Sequence, residues 1–280
     1  MDRGQMVVER SGIDPEAVPV EDIGVLILDH PGIVHTQGLL AACIENNAAV
    51  LVCDSKHLPA AMFLPFKANS LHAKVVALQS TVSVPIKKRL WKSIVRAKII
   101  GQAETLRLAG KDPGPVFKFA ERVRSGDPDN IEAQVARFYW QRLFGPVFRR
   151  DREEKSVNAF LNYGYAVVRG AIARAIVGAG LHPSLGIHHH NQYNNFCLAD
   201  DLLEPFRPIV DLVAYSIVEP ENNAAELDKE SRRKLLEILN YTSKIGGRTL
   251  PLMSAFQSYA ASIRAVMAGE AMEPEIPALS

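Results

Sequence analysis

The chain has 280 residues, and 32 Lys and Arg against 31 Asp and Glu leave a formal charge of +1. That length suffices for one large or two modest domains, and two are expected; near-neutrality excludes a global field drawing the protein to nucleic acid or membrane, so such binding must come from local patches. Cys43, Cys53 and Cys197 show neither metal spacing nor a disulfide framework, which points to a reducing, cytoplasmic setting. The first residues lack the basic start and apolar core of a signal peptide, and the longest apolar region, 166–181, carries Arg169 and Arg174, which argues against a membrane span.

Residues 1–82 read as short strands with one helix between them. Met6-Val7-Val8 and Val25-Leu26-Ile27-Leu28 are brief runs rich in branched side chains, the second followed by the turn signal His30-Pro31-Gly32. Residues 37–47 have helical character, and Ala48 to Cys53 is a buried-strand candidate stopped by Asp54-Ser55-Lys56. From Pro85 the pattern turns helical and stays so. The expected fold class is α+β: a small strand-rich N-terminal domain, 1–82, followed by a larger all-helical domain, 83–280.

Pro85 suits a helix start, and Ile86, Leu90 and Ile94 repeat every four residues, joined by Trp91 and Val95. Lys88, Lys92 and Arg96 form a second stripe at the same interval, with Lys87, Arg89 and Lys98 nearby and no acid between Ile86 and Ile99. Such a row is either the solvated side of an amphipathic helix or a track for a phosphate backbone. Further on, Asp127 is a candidate N-cap with Pro128 in the first turn. In that helix Glu132, Ala136, Tyr139 and Leu143 share a face. An ionised acid on an apolar stripe needs a partner unless the nearby helix start keeps it wet and favoured by the dipole.

Residues 151–155 read as a charged linker into a long helix from about 156 to 178, with Val157, Leu161, Gly164, Val168, Ala171 and Ala175 as its apolar stripe. Asn158, Asn162, Tyr165 and Arg169 form a polar row that either faces water or holds a phosphate or an ordered water. Gly178-Ala179-Gly180 ends a helix instead of opening one, so it is no dinucleotide fingerprint.

The densest chemistry lies in residues 181–208, where four imidazoles, three carboxylates and one arginine fall within 28 positions. Asp201 and Glu204, three apart, share a face if the segment is helical, and His189 lies close enough before them to join their oxygens. Mixed imidazole and carboxylate ligation suits Mn2+ and, with retained waters, Mg2+; Zn2+ more usually takes a closed His and Cys set. Taken singly, the His run is a solvated loop and the Asp pair a helix cap; taken together they favour a site. Beyond it, 209–218 continues as a core helix, 220–223 breaks it, and 227–239 is helical with Arg232, Arg233 and Lys234 solvated. Gly246 to Pro251 marks a turn, 253–267 is the last helix, and the tail with Pro274 and Pro277 is expected to be loose.

Several stretches, in order, resemble the CRISPR adaptation integrases, the large subunits that insert new spacers into CRISPR arrays. They are Val18-Pro19-Val20-Glu21-Asp22-Ile23, Cys53 to Pro59, Asn130 to Trp140, Asn158 to Tyr165, and Gly186 through Pro208. The last is most similar to type II versions. The resemblance implies that Glu132, His189 and Glu204 are catalytic residues binding Mg2+ or Mn2+, with His188 and His190 beside the chosen histidine. Asp201, His190, Asn158, Tyr163, Tyr165 and Arg207 are then supporting or phosphate-binding groups, and Lys88, Lys92 and Arg96 DNA contacts. It also implies a helical catalytic domain, a homodimer, a small ferredoxin-like adaptation subunit as partner, and spacer-precursor and repeat DNA as substrates. Members usually carry one or two more strands before the point where this chain begins, so a shortened N-terminal sheet is expected. The expected reaction is attack of a 3′-hydroxyl on a phosphodiester. The alternatives are a metal-dependent DNase acting on branched DNA with water as nucleophile, an inert DNA-binding scaffold, and a zinc hydrolase using the histidines and Cys197.

Overall fold

Branched apolar runs separated by turn residues pair early in the chain. A computed structural model describes residues 3–65, 68–151, 157–218 and 226–279. Strands β1 (Gln5–Arg10) and β2 (Ile13–Pro19) form an antiparallel hairpin in which Arg10 faces Ile13. β3 (Val25–Leu28) runs parallel to β4 (Ala49–Cys53), and helix α1 (Gln37–Glu45) makes the crossover such pairing requires. Thr36 caps α1 by accepting from the Leu39 amide at 3.2 Å. β5 (Pro59–Phe63) adds antiparallel to β4, giving the order β3-β4-β5. Central β4 buries Ala49, Val50 and Leu51, while Val20, Ile23, Cys43 and Ala48 join Val50 in a small core under α1.

Residues 1–82 hold a second helix beyond the one expected, α2 (His72–Thr81). Only Val75 and Gln79 of it are buried, too few to write an apolar stripe. Helices then dominate: α3 (Val84–Leu108), α4 (Val116–Arg122), α5 (Ile131–Phe144), α6 (Val157–Gly178), α7 (Cys197–Leu203), α8 (Arg207–Ile217), α9 (Lys229–Glu237) and α10 (Leu252–Met267). The chain is thus mixed α and β, strands first and mostly helix after, as expected. No helix among the described residues is long and apolar enough to cross a membrane.

α6 is the central element. It buries residues on every side, from Phe160 and Leu161 to Ile176, because α7, α8, α9 and α10 and strands β4 and β5 all pack on it. Each large aliphatic side chain so covered contributes roughly 1.5–3 kcal/mol of burial free energy. Its small residues permit this: a Cβ on Gly164 would sit 2.5 Å from Val210 Cγ1 of α8.

Some expectations need correction. Asp127 is not the residue before α5; that is Asn130, in a left-handed conformation. Asp127 nonetheless caps the helix, accepting from the Ile131 amide at 2.9 Å and the Glu132 amide at 3.0 Å. Arg232 is not solvated: its Nε meets Asp29 at 3.0 Å, tying α9 to the end of β3. The part after residue 82 is not all-helical: residues 242–251 form a hairpin of β6 (Thr242–Ile245) and β7 (Arg248–Pro251) around Gly246-Gly247. The tail is docked, because β8 (Ala278–Leu279) pairs with β6 and the Glu275 amide donates to Ser262 Oγ. Of the linker read over 151–155 only Asp151 is described, and the break read over 220–223 lies outside the described residues.

Candidate active site

Three segments meet around one ammonium group. Lys98 continues the every-four stripe Ile86, Leu90, Ile94 of α3 and therefore turns inward, its side chain 10% exposed. Its Nζ donates to Glu132 Oε1 at 2.5 Å and lies 2.6 Å from Glu204 Oε2. Glu132 is presented by the first turn of α5, fixed by Asp127. Glu204 sits in a single 3-10 turn, Glu204–Phe206, between α7 and α8, held against α3 where Thr105 Oγ1 donates to the Pro208 carbonyl at 2.9 Å. Arg207 Nε donates to Glu204 Oε1 at 2.8 Å, and its guanidinium lies over the Tyr165 ring, 4.5 Å from the centroid. Burial alone would raise the Glu204 carboxyl; the Arg207 and Lys98 cations outweigh it and hold the group well below the usual carboxylate range. Oε2 makes its contact with Lys98 as an ion pair outside hydrogen-bonding geometry, so it is buried without a hydrogen-bond donor.

The histidine loop folds around the second acid of the segment. Asp201 is fully buried and takes four donors: the Ile187 amide at 2.6 Å and the His188 amide at 3.0 Å on Oδ2, the His189 amide at 3.2 Å and His189 Nδ1 at 2.6 Å on Oδ1. This leaves Asp201 as the group that orients the ring. With Nδ1–H donated to the carboxylate, His189 presents Nε2 as an acceptor. That hydrogen bond raises the His189 pKa against the opposing effect of burial, and the Glu204 charge acts in the same upward sense. Gly186 allows the tight fold, because a Cβ there would lie 2.2 Å from the His189 carbonyl oxygen. From the other side buried Gln79 of α2 grips the approach to the loop, Nε2 donating to the His182 and Leu185 carbonyls and Oε1 accepting from the His182 amide. Trp91 of α3 stacks on His188 at 4.0 Å and meets the His189 ring edge-on. His190 is exposed.

The remaining residues singled out fall elsewhere. Asn158 and Asn162 do not face water or a free phosphate site: both accept from Arg150, at 2.7 and 2.5 Å. Tyr165 donates to Asp211, as does Tyr139 at 2.8 Å. Tyr163 is not in this cluster: it lies by Asp29 and Cys53 at the N-terminal sheet, and burial first, then those neighbours, raises its pKa. Cys197 Sγ donates to the Asn194 carbonyl at 3.3 Å, turned into its own loop, which leaves the zinc alternative without a thiolate facing the histidines. Lys88 and Arg96 are exposed and Lys92 half-buried, along the outer side of α3.

Lys98, read from the sequence only as part of the basic run, carries a signal for its inward position, four residues after Ile94; Asp211, Gln79 and Arg150 are unmarked in the sequence. Asp211 is an acid inside a core helix, the pattern that flags Glu132. Gln79 belongs to a helix without a stripe, and Arg150 carries no motif.

Among the described residues no three His, Cys, Asp or Glu side chains already stand as a metal cluster. The donor set nevertheless fits a cation: two carboxylates from separate helices share one, and Glu204 Oε2 has no hydrogen bond to lose. An all-oxygen pair with one imidazole alongside suits Mg2+ or Mn2+ better than Zn2+.

Strands first and a helical body after is the fold of solved Cas1 and casposase structures. A CAS1 protein from Thermotoga maritima superposes with a TM-score of 0.75 at 14% identity, covering 96% of this chain and 94% of that one. A casposase bound to its integration product gives 0.74 at 19% identity over 97% and 88%. The family model described as CRISPR associated protein Cas1 matches residues 1–240, and the chain belongs to that family. The CRISPR-associated endonuclease Cas1 of Neisseria meningitidis is 38% identical over 267 residues, 95% of this chain and 87% of the relative.

Proposed function

We propose that this Cas1-family chain is a metal-dependent DNA integrase and endonuclease of CRISPR adaptation, joining a 3′-hydroxyl end of spacer DNA to a phosphodiester of the repeat. The observation that carries the reading is the convergence of Glu132 and Glu204 on one cation position, at 2.5 and 2.6 Å, beside a histidine oriented by a buried acid.

In this reading Glu132, Glu204 and His189 Nε2 hold Mg2+ or Mn2+, which when bound polarises the phosphodiester and favours the deprotonated hydroxyl. Asp201 fixes the histidine ring and its tautomer. Arg207 neutralises the second oxygen of Glu204 and sets its direction. Lys88, Lys92 and Arg96 carry the DNA backbone along the outer side of α3, giving contacts that position without reading sequence. One phosphodiester replaces another, so no high-energy cofactor is required. Catalysis belongs to residues 83–280, and the working assembly is a homodimer with a small ferredoxin-like subunit, in the cytoplasm.

The test mixes the full chain, with and without that subunit, with a short 3′-hydroxyl duplex and a repeat-bearing plasmid, in Mn2+, Mg2+ or chelator, beside Glu132→Ala. Metal-dependent joining that the variant loses is expected. Cutting without joining would favour the branched-DNA nuclease, and tight DNA binding without any reaction would favour a scaffold.

A further inference from the structure

Lys98 stands where the reading above puts the metal. One nitrogen cannot lie 2.5 Å from Glu132 Oε1 and 2.6 Å from Glu204 Oε2 while a divalent ion binds the same two oxygens, because metal–oxygen distances of about 2.0–2.6 Å would bring the ion into contact with Nζ. Resting on that reading, we propose that Lys98 is the site's built-in cation: it neutralises Glu132 and Glu204 in the metal-free protein, and metal binding is an exchange that expels its ammonium from between them.

The surroundings explain why the chain carries a lysine here. Position 98 lies on the buried stripe of α3 with Ile94, Val95 and Ile99, where an apolar residue would pack. Without the Lys98 charge, buried Glu204 and partly buried Glu132 would face each other with only Arg207 to offset them, and their repulsion would oppose folding. Supplying the cation from the chain lets the fold form before any metal arrives.

The two carboxylates are also unequal in a way that permits exchange. Glu204 Oε1 is held by Arg207, so that oxygen remains neutralised whatever happens at Oε2. Oε2, the atom facing Lys98, makes no hydrogen bond, so losing the ammonium costs it only an ion pair that a divalent ion replaces with a stronger one. The Glu132 side chain is 25% exposed, which opens this corner to solvent. Lysine suits such a role: its point charge sits on a flexible four-carbon stem, so the head moves while the helix stays.

The consequence is a metal affinity set below what the ligands alone would give. Calorimetric titration of Mn2+ into the full chain tests it with wild type, Lys98→Met and Glu204→Gln. Lys98→Met removes the charge at nearly constant length and is expected to bind Mn2+ at least tenfold more tightly, with a larger rise in melting temperature on saturation; Glu204→Gln is expected to weaken binding. Equal or weaker binding by Lys98→Met, while Glu204→Gln still weakens it, would overturn the exchange and leave the carboxylate site standing. Undiminished binding by Glu204→Gln would overturn both, since the metal would then lie elsewhere. Should Lys98→Met fail to fold, pulsed amine acylation of the wild type read by mass spectrometry decides: Lys98 should label several-fold faster in Mn2+ than in chelator, with exposed Lys74 unchanged as control. Equal labelling of Lys98 in both conditions would sink the proposal.

Discussion

Glu204 and Asp211 lie two turns apart on one helical stretch and are buried alike, 4% and 1% exposed, yet their carboxyls move in opposite directions. Burial raises both. At Glu204 the Arg207 guanidinium and Lys98 ammonium touch the carboxylate and drive it well below its ordinary range. At Asp211 the direct donors are neutral hydroxyls, Tyr165 from α6 and Tyr139 from α5, while Arg207 and Lys98 act from farther away; burial wins and the group is pushed up to about 7. The two hydroxyl hydrogen bonds lower the Asp211 pKa less than burial raises it, whereas two positive charges in contact outweigh burial at Glu204. The first acid is therefore held ionised between two cations, while the second exchanges its proton near neutral pH.

The largest effect should come from removing the contrast at its charged end. Glu204→Gln leaves buried Lys98 and partly buried Arg207 with half their counter-charge, and a loss of about 3–5 kcal/mol is expected in urea unfolding. At the neutral end, Asp211→Asn should mimic the protonated acid, one amide group accepting from Tyr165 and donating toward Tyr139. Because Asp211 binds its proton more tightly folded than unfolded, its contribution to stability is whole below about pH 4 and is lost as the pH climbs to about 7. The variant should thus gain on the wild type between pH 5 and pH 8 by about 3 kcal/mol, read as the change in their unfolding difference, and equal pH slopes would refute this account.

Asp201 sharpens the comparison as a third buried acid, one satisfied by three backbone amides and a ring. Asp201→Asn should cost about 2 kcal/mol of stability, since an amide nitrogen must face donors, and should weaken Mn2+ affinity about 10–100-fold through a misdirected His189. The smallest structural effect belongs to charges with no buried partner. Lys88→Gln, Lys92→Gln and Arg96→Gln should each leave stability within about 0.5 kcal/mol and lower the salt dependence of DNA binding by about one phosphate contact.

Much of the fold was legible because local periodicity reflects burial: β1, β3, β4, α1, α3 and α8 lie where branched runs and apolar stripes put them. α2 was not, as a helix burying only Val75 and Gln79 has no stripe. The β6–β7 hairpin was read only as a turn, its strands being four residues each, and β8 exists only through its pairing with β6. Among the site candidates, Tyr163 and Tyr165 differ by two positions, which on a helix buried all round points them to opposite partners, the N-terminal sheet and Asp211.

By itself the sequence determined most of the elements, the acid and imidazole types available for chemistry, and the family, because these depend on residue identity and short-range spacing. Only the tertiary structure decided which charges touch. Lys98 falls both in a run of positive residues and on the apolar stripe of α3, and no local rule says which membership prevails. The packing of α5 and the α7–α8 turn against that helix settled it, bringing two carboxylates onto the ammonium and making its burial tolerable.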